Sequence, residues 1–142
     1  MGKILVPVDG SDSAMRALAL AVKQAKEKSG TSLHVLTVHP PLRVYGEIAV
    51  YVGDKRMREL AAMHDRDVLG SAEKRLRRAR VAHTVEALEG DPATVIAQRA
   101  KSLKCDSIVM GTRGLGRIPT LIMGSVTTKV IHLTSVPVTL VK

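Results

Sequence analysis

Short runs of aliphatic and β-branched residues alternate along the whole chain with segments whose apolar residues recur every three to four positions. That alternation narrows the fold more than any other feature. Lys3–Val8 (KILVPV), Ser32–Val38 (SLHVLTV), Ala82–Leu88, Asp106–Met110 and Val136–Val141 (VPVTLV) read as five strands. Between the first two, Ala14, Ala17, Leu18, Ala21, Val22 and Ala25 line one face of a helix that Ser11 or Asp12 can cap and Gly30 stops. A second helix over Asp54–Ala79 puts Met57, Ala61, His64, Val68, Ala72 and Leu76 on one face. Asp91 as N-cap and Pro92 at the first helical position open a third, with Val95, Ile96, Ala100 and Leu103 facing inward. A fourth begins near Ile122–Gly124 and runs to about Leu133. Strands alternating with helices predict a parallel sheet with right-handed crossovers and helices on both faces. Pro137 places the last strand at an edge, because a central strand cannot spare the amide that proline lacks.

The chain of 142 residues is the length of one domain, residues 1–142, without internal repeats or low-complexity segments. Its only Tyr, Phe or Trp residues are Tyr45 and Tyr51, both in the loose His39–Gly53 connection, which could cover the cleft. The core must therefore be aliphatic, and aromatic platforms for stacking single-stranded nucleic acid are all but excluded. One cysteine, Cys105, excludes an intramolecular disulfide and cysteine-clustered zinc. No apolar run approaches the about eighteen residues of a membrane span, and the one before Asp9 is too short for a signal-peptide core. The expectation is a soluble cytoplasmic protein. Its net charge of +9 is concentrated in Lys55–Arg80, where nine Lys/Arg face four Asp/Glu. A solvated helix face explains this best, with attraction of a polyanion such as nucleic acid as the alternative.

In open α/β sheets, ligands bind beyond the carboxyl ends of the strands where strand order reverses. One such end, Met110-Gly111, opens the stretch GTRGLGRIPTLIMGSVTTKV. Gly111 and Gly116 have Walker spacing but are followed by Arg117-Ile118 rather than Lys-Ser/Thr, and the dinucleotide fingerprint fails at Pro119. The pattern present is Gly111-x2-Gly114-x9-Gly124-Ser125. At ordinary glycine frequency, about one such chain in a hundred or fewer would contain it by chance. Gly124, Ser125 and Val126 are predicted to form the first turn of the last helix, whose free N–H groups and dipole favour phosphate. Ser125 and Thr127 add hydroxyls, and Arg113 and Arg117 add cations able to reach polyphosphate oxygens. Asp9 would repel phosphate and is better suited to accepting from hydroxyl or amino donors. Val38, at the neighbouring strand end, offers backbone groups and an apolar wall.

This motif, together with PVDGSDSA near the start, GDPA at Gly90–Ala93 and SVPVTLV at the end, resembles the nucleotide-binding branch of the universal stress protein (UspA) family over essentially the whole chain. The resemblance implies a doubly wound α/β domain with strand order 3-2-1-4-5 and four helices, like the adenine nucleotide alpha-hydrolases. It implies ATP as ligand, with Mg²⁺ as companion to the triphosphate. The binding set it points to comprises Pro7, Val8, Asp9 and Val38 at the first two strand ends. Met110, Gly111, Thr112, Arg113, Gly114, Gly116 and Arg117 follow on the glycine-rich stretch, and Gly124, Ser125, Val126 and Thr127 complete it at the helix start. It also implies a homodimer through Val136–Val141 and a regulatory role in the stress response, with no dedicated catalytic residues.

Two other functions stand beside this one: a slow ATP-hydrolysing or phosphotransfer enzyme, and a basic protein associated with nucleic acid. The first lacks a placed general base or carboxylate pair for metal, and the second rests on charge alone. A receiver domain is rejected because Leu88-Glu89 stand where an acceptor aspartate is required. Cys105, His34 and His64 read as packing residues, and His39 faces the cleft without a partner that the sequence identifies.

Overall fold

Successive side chains of a β-strand point to opposite faces, and here that alternation divides the core in two. The computed structural model describes residues 2–41, 54–112 and 124–142. Its elements in chain order are β1 (Lys3–Pro7), α1 (Asp12–Glu27), β2 (Ser32–His39), α2 (Asp54–Ala79), β3 (His83–Glu89), α3 (Pro92–Ser102), β4 (Ser107–Gly111), α4 (Ser125–Leu133) and β5 (Val138–Val141). Ile4 and Val6 of β1, Leu33 and Val35 of β2 and Val109 of β4 pack under α1 and α2. Leu5, Leu36, Ile108 and Met110, one position out of phase, pack under α3 and α4. Leu5, Val6, Leu18, Leu36, Leu76 and Ile108 are fully buried, each contributing about 1.5–3 kcal/mol of transfer free energy. Alanines at 14, 17, 21 and 25 line the buried stripe of α1, so that helix approaches the sheet closely with no aromatic ring between them.

The sheet is parallel throughout, with strand order β3-β2-β1-β4-β5. Both the order and the four helices among the described residues match the sequence expectation. Pro137 lies just before β5 rather than inside it, and its carbonyl accepts from Ile108 N (2.9 Å) at the sheet edge. The caps read from sequence are also present. Ser11 Oγ accepts from Ala14 N at the start of α1, and Asp91 accepts from Thr94 N at the start of α3. Among the described residues no helix is long and apolar enough to cross a membrane. Tyr45 and Tyr51, with the connection that carries them, lie outside the described residues.

One helix face needs correction. His64 of α2 is exposed, and the buried stripe instead runs through Asp65, Val68, Ala72 and Leu76. The steps 65–68–72–76 follow the helical period more closely than 64–68–72, so Asp65 takes the inward position despite its charge.

The outer strand β3 packs Val85 and Leu88 against the two halves of the core and is tied to its neighbours by a polar cluster as well. Buried His34 of β2 contacts Thr84 Oγ1 through Nδ1 (2.5 Å) and Glu86 Oε1 through Nε2 (2.7 Å), and Arg99 of α3 donates to the same Glu86 oxygen (2.7 Å). Desolvation raises the Glu86 carboxyl, but the hydrogen bonds and charges of His34 and Arg99 outweigh it and hold the group below its usual range. A depressed folded-state pKa contributes stability above the unfolded value and loses it as pH falls through the folded value. Glu86→Gln is expected to lower stability by about 1 kcal/mol at pH 7. It should also flatten the loss of stability on acidification below the usual glutamate range, as read by urea denaturation across pH.

Candidate functional site

Strand order reverses at β1, which has β2 on one side and β4 on the other. The connection leaving β1 leads to α1 on one face of the sheet, and that leaving β4 leads to α4 on the other. A crevice therefore opens at their carboxyl ends.

The β1 side is built by a tight turn. Val8 N donates to Leu36 O (2.8 Å), continuing the β1–β2 ladder past the strand end. Asp9 Oδ1 then accepts from Ser11 N (2.9 Å). Gly10 between them adopts φ +87°, a conformation that disfavours side chains. The half-buried Asp9 carboxylate is thereby fixed at the mouth of the crevice, just ahead of the first turn of α1.

The β4 side is built around Gly111. A Cβ at this position would collide with Ser13 Oγ and lie 2.8 Å from Ser13 C and 2.9 Å from Ala14 N. The absence of a side chain at Gly111 is thus used by α1, whose first turn lies directly against the end of β4. The next residues close a loop. Thr112 N donates to Val141 O (2.9 Å), Gly124 N donates to Thr112 O (2.5 Å), and Thr127 Oγ1 donates to Gly111 O (2.9 Å). The two ends of the glycine-rich stretch are pinned together, and the start of α4 is set beside the end of β4.

The start of α4 differs chemically from those of α1 and α3. Its N-cap is Gly124, which makes no side-chain capping bond, and its first turn holds no acidic residue. Among the described residues nothing takes up the first-turn amides, which lie at the positive end of the helix dipole. By contrast, α1 is capped by Ser11 and carries Asp12 in its first turn. Gly124 has φ −72° and ψ 162°, a conformation open to any residue, so backbone strain does not require glycine there. Lys129 on α4 pairs with Asp91 Oδ2 (3.0 Å) at the start of α3, anchoring the two helices together. The Thr94 hydroxyl, then Lys129 and the Thr94 amide, hold the Asp91 carboxyl down to about 2.

Among the predicted site residues, Pro7, Val8, Asp9, Val38, Gly111, Thr112, Gly124, Ser125 and Val126 lie at the carboxyl ends of β1, β2 and β4 or at the start of α4. Ser125 and Val126 are exposed, whereas Thr127 is buried with its hydroxyl engaged by Gly111 O. Met110 is buried in the α3–α4 core and Val38 packs against that core. Arg113, Gly114, Gly116, Arg117 and the neighbouring Pro119 lie outside the described residues. Cys105 is buried, and burial pushes its thiol up, away from the reactive thiolate form. Among the described residues no cluster of three or more His, Cys, Asp or Glu could hold a metal ion.

Sequence reasoning missed the partners of His39. Its Nδ1 lies 2.9 Å from Oδ2 of buried Asp65, out of hydrogen-bond alignment, and its Nε2 lies 3.8 Å from Glu89 Oε2. Reading α2 with Asp65 on its buried stripe would have signalled the first contact.

Gly111→Ala is expected to destabilise the fold by roughly 1–3 kcal/mol through overpacking, measured as a lower urea midpoint with an unchanged m-value. Retention of wild-type stability would mean that the α1–β4 contact yields freely.

The model of the universal stress protein family matches residues 1–142. The chain is 38% identical to a universal stress protein of Thermus aquaticus, over 98% of this chain and 97% of that one. Among solved structures it superposes on the universal stress protein UspA of Lactobacillus plantarum with a TM-score of 0.85 at 25% identity, covering 99% of this chain and 97% of that one. It also superposes on the universal stress protein of Archaeoglobus fulgidus in complex with dAMP, with a TM-score of 0.71 at 25% identity over 100% and 98% of the two chains.

Proposed function

This chain belongs to the universal stress protein family, and we propose that it binds ATP in the crevice between β1 and β4 and acts as a nucleotide-dependent regulatory protein of the stress response. The observation that carries this reading is the start of α4. Its first-turn amides carry no side-chain cap, its first turn holds no acidic residue, and it is held at the switch point by the Gly124–Thr112 and Thr127–Gly111 hydrogen bonds. An anionic phosphate fits this donor set. The dAMP bound by the similar Archaeoglobus fulgidus protein supports an adenine nucleotide as the source of that phosphate.

In this reading Gly124, Ser125 and Val126 receive the polyphosphate, and Arg113 and Arg117 supply its counter-charge. Asp9, kept off the phosphates by like-charge repulsion, accepts from the ribose, and Val38 borders the adenine. Mg²⁺ accompanies the triphosphate. The edge strand β5 pairs antiparallel with that of a second copy, because its outer backbone groups have no partner strand among the described residues.

Two substitutions separate binding from folding. Ser125→Asp places a carboxylate in the first turn of α4, where it favours the helix dipole by about 0.3–1 kcal/mol but repels phosphate. Its melting temperature is expected to hold or rise while ATP affinity, measured by calorimetry, falls at least tenfold. Gly124→Val, in a backbone conformation valine accepts, should likewise fold and lose ATP. Wild-type nucleotide binding by both variants would overturn the proposal.

A further inference from the structure

The opposite pole of the sheet carries a second constellation that the nucleotide crevice does not use. A pocket of about 720 Å³ opens where β1 and β2 begin and where α1, α2 and α3 end. Its lining includes Lys3, Lys26, Arg80 and Lys104 against a single carboxylate, Asp106. Among the described residues none of these four cations is in an ion pair. Asp106 is occupied otherwise: its Oδ2 accepts from the backbone N of Lys3 (2.7 Å), and its own N donates to Lys3 O (2.8 Å). The carboxylate thus fastens the strand end.

Helix dipoles account for some of these cations but not for all. Lys26 sits in the last turn of α1, where a positive charge is ordinarily favourable. Arg80 and Lys104 lie beyond the ends of α2 and α3, with φ of 57° and 55°, and are the only non-glycine residues with positive φ among those described. Each occupies a helix-terminating turn in which the following amide reaches back five residues: Val81 N to Leu76 O (3.4 Å) and Cys105 N to Ala100 O (2.9 Å). Glycine is the usual residue at such a position. The turn after α1 does use glycine, with Gly30 at φ +82°. Two cations are therefore kept at a conformational cost, and both line the same pocket.

Charge balance favours an anion even at this end of the helices. Three helix C-termini contribute about half a negative charge each, and Asp106 adds one, against four full positive charges. The wall also holds a hydroxyl in need of a partner. Thr31 is nine-tenths buried, and its Oγ1 has no hydrogen-bond partner among the described residues.

We propose that this pocket is a second anion site, distinct from the crevice, that takes a small solute bearing a phosphate or pyrophosphate group. Its concavity favours a compact solute over the extended backbone of a nucleic acid. The lysines and arginine supply charge, and Thr31 supplies a hydroxyl donor to a ligand oxygen.

Inorganic pyrophosphate is the probe, titrated by calorimetry into the full-length Ser125→Asp protein so that the crevice is set against anions. One equivalent is expected to bind. In that background Arg80→Gly/Lys104→Gly should raise the melting temperature by relieving the two positive-φ positions, yet weaken pyrophosphate at least tenfold. Thr31→Val should weaken it severalfold without loss of stability. In the otherwise wild-type chain, ATP affinity at the crevice should be the same with and without the glycine pair. Absence of pyrophosphate binding in the Ser125→Asp protein, or unchanged affinity in the glycine pair, overturns the proposal. So does duplex DNA that binds in a salt-dependent way and displaces pyrophosphate, which would assign these cations to a nucleic-acid surface.

Discussion

The contact between Gly111 and the first turn of α1 is the constraint on which the rest of the crevice depends. With Ser13 and Ala14 seated where a side chain would project, the end of β4 is drawn against the helix that follows β1. The two strand ends flanking the switch point are thereby held at one spacing. The Gly111 carbonyl is then free to accept from Thr127, and Thr112 uses its amide on β5 and its carbonyl on Gly124. A few hydrogen bonds thus connect β4, β5 and α4 around one position, with α1 packed against it. A crevice built this way is preorganised, because the uncapped first turn of α4 belongs to a helix already fixed at its base.

The helix ends carry an electrostatic division of labour. Two helix starts with no ligand-binding part in the proposed function are capped: α1 by Ser11, with Asp12 in its first turn, and α3 by Asp91 with Thr94. The start of α4 is left without a side-chain cap or an acidic residue. At the other pole, two positions that favour glycine hold cations instead. In both places the chain forgoes a stabilising choice, and a local departure from the most stable residue is where binding is most economically sought.

His39 and Asp65 show what a one-residue error in helical phase conceals. On α2 the neighbouring His64 and Asp65 exchange places between expectation and structure, and the exchange brings a buried carboxylate to 2.9 Å from an imidazole beside the crevice. Apolar periodicity constrains a long charged helix weakly, because polar residues on its flank leave the stripe's centre uncertain by about a residue. The same weakness does not affect α1, whose alanine and leucine stripe is continuous.

The element order, the capping residues Ser11 and Asp91, the parallel sheet and the edge position of β5 were legible in the sequence, because each follows from local periodicity, a turn residue or a proline. The start of α4 was legible too, since glycine and serine ahead of an apolar helical run define it without reference to the rest of the chain. Three features belong to the tertiary structure alone. Gly111 makes room for a helix nearly a hundred residues earlier in the chain, Asp65 meets His39 across two elements, and Lys3, Lys26, Arg80 and Lys104 gather at one pole. Each depends on the spacing and register between elements distant in sequence, which are set by packing the two apolar faces of the sheet and leave no local signature along the chain.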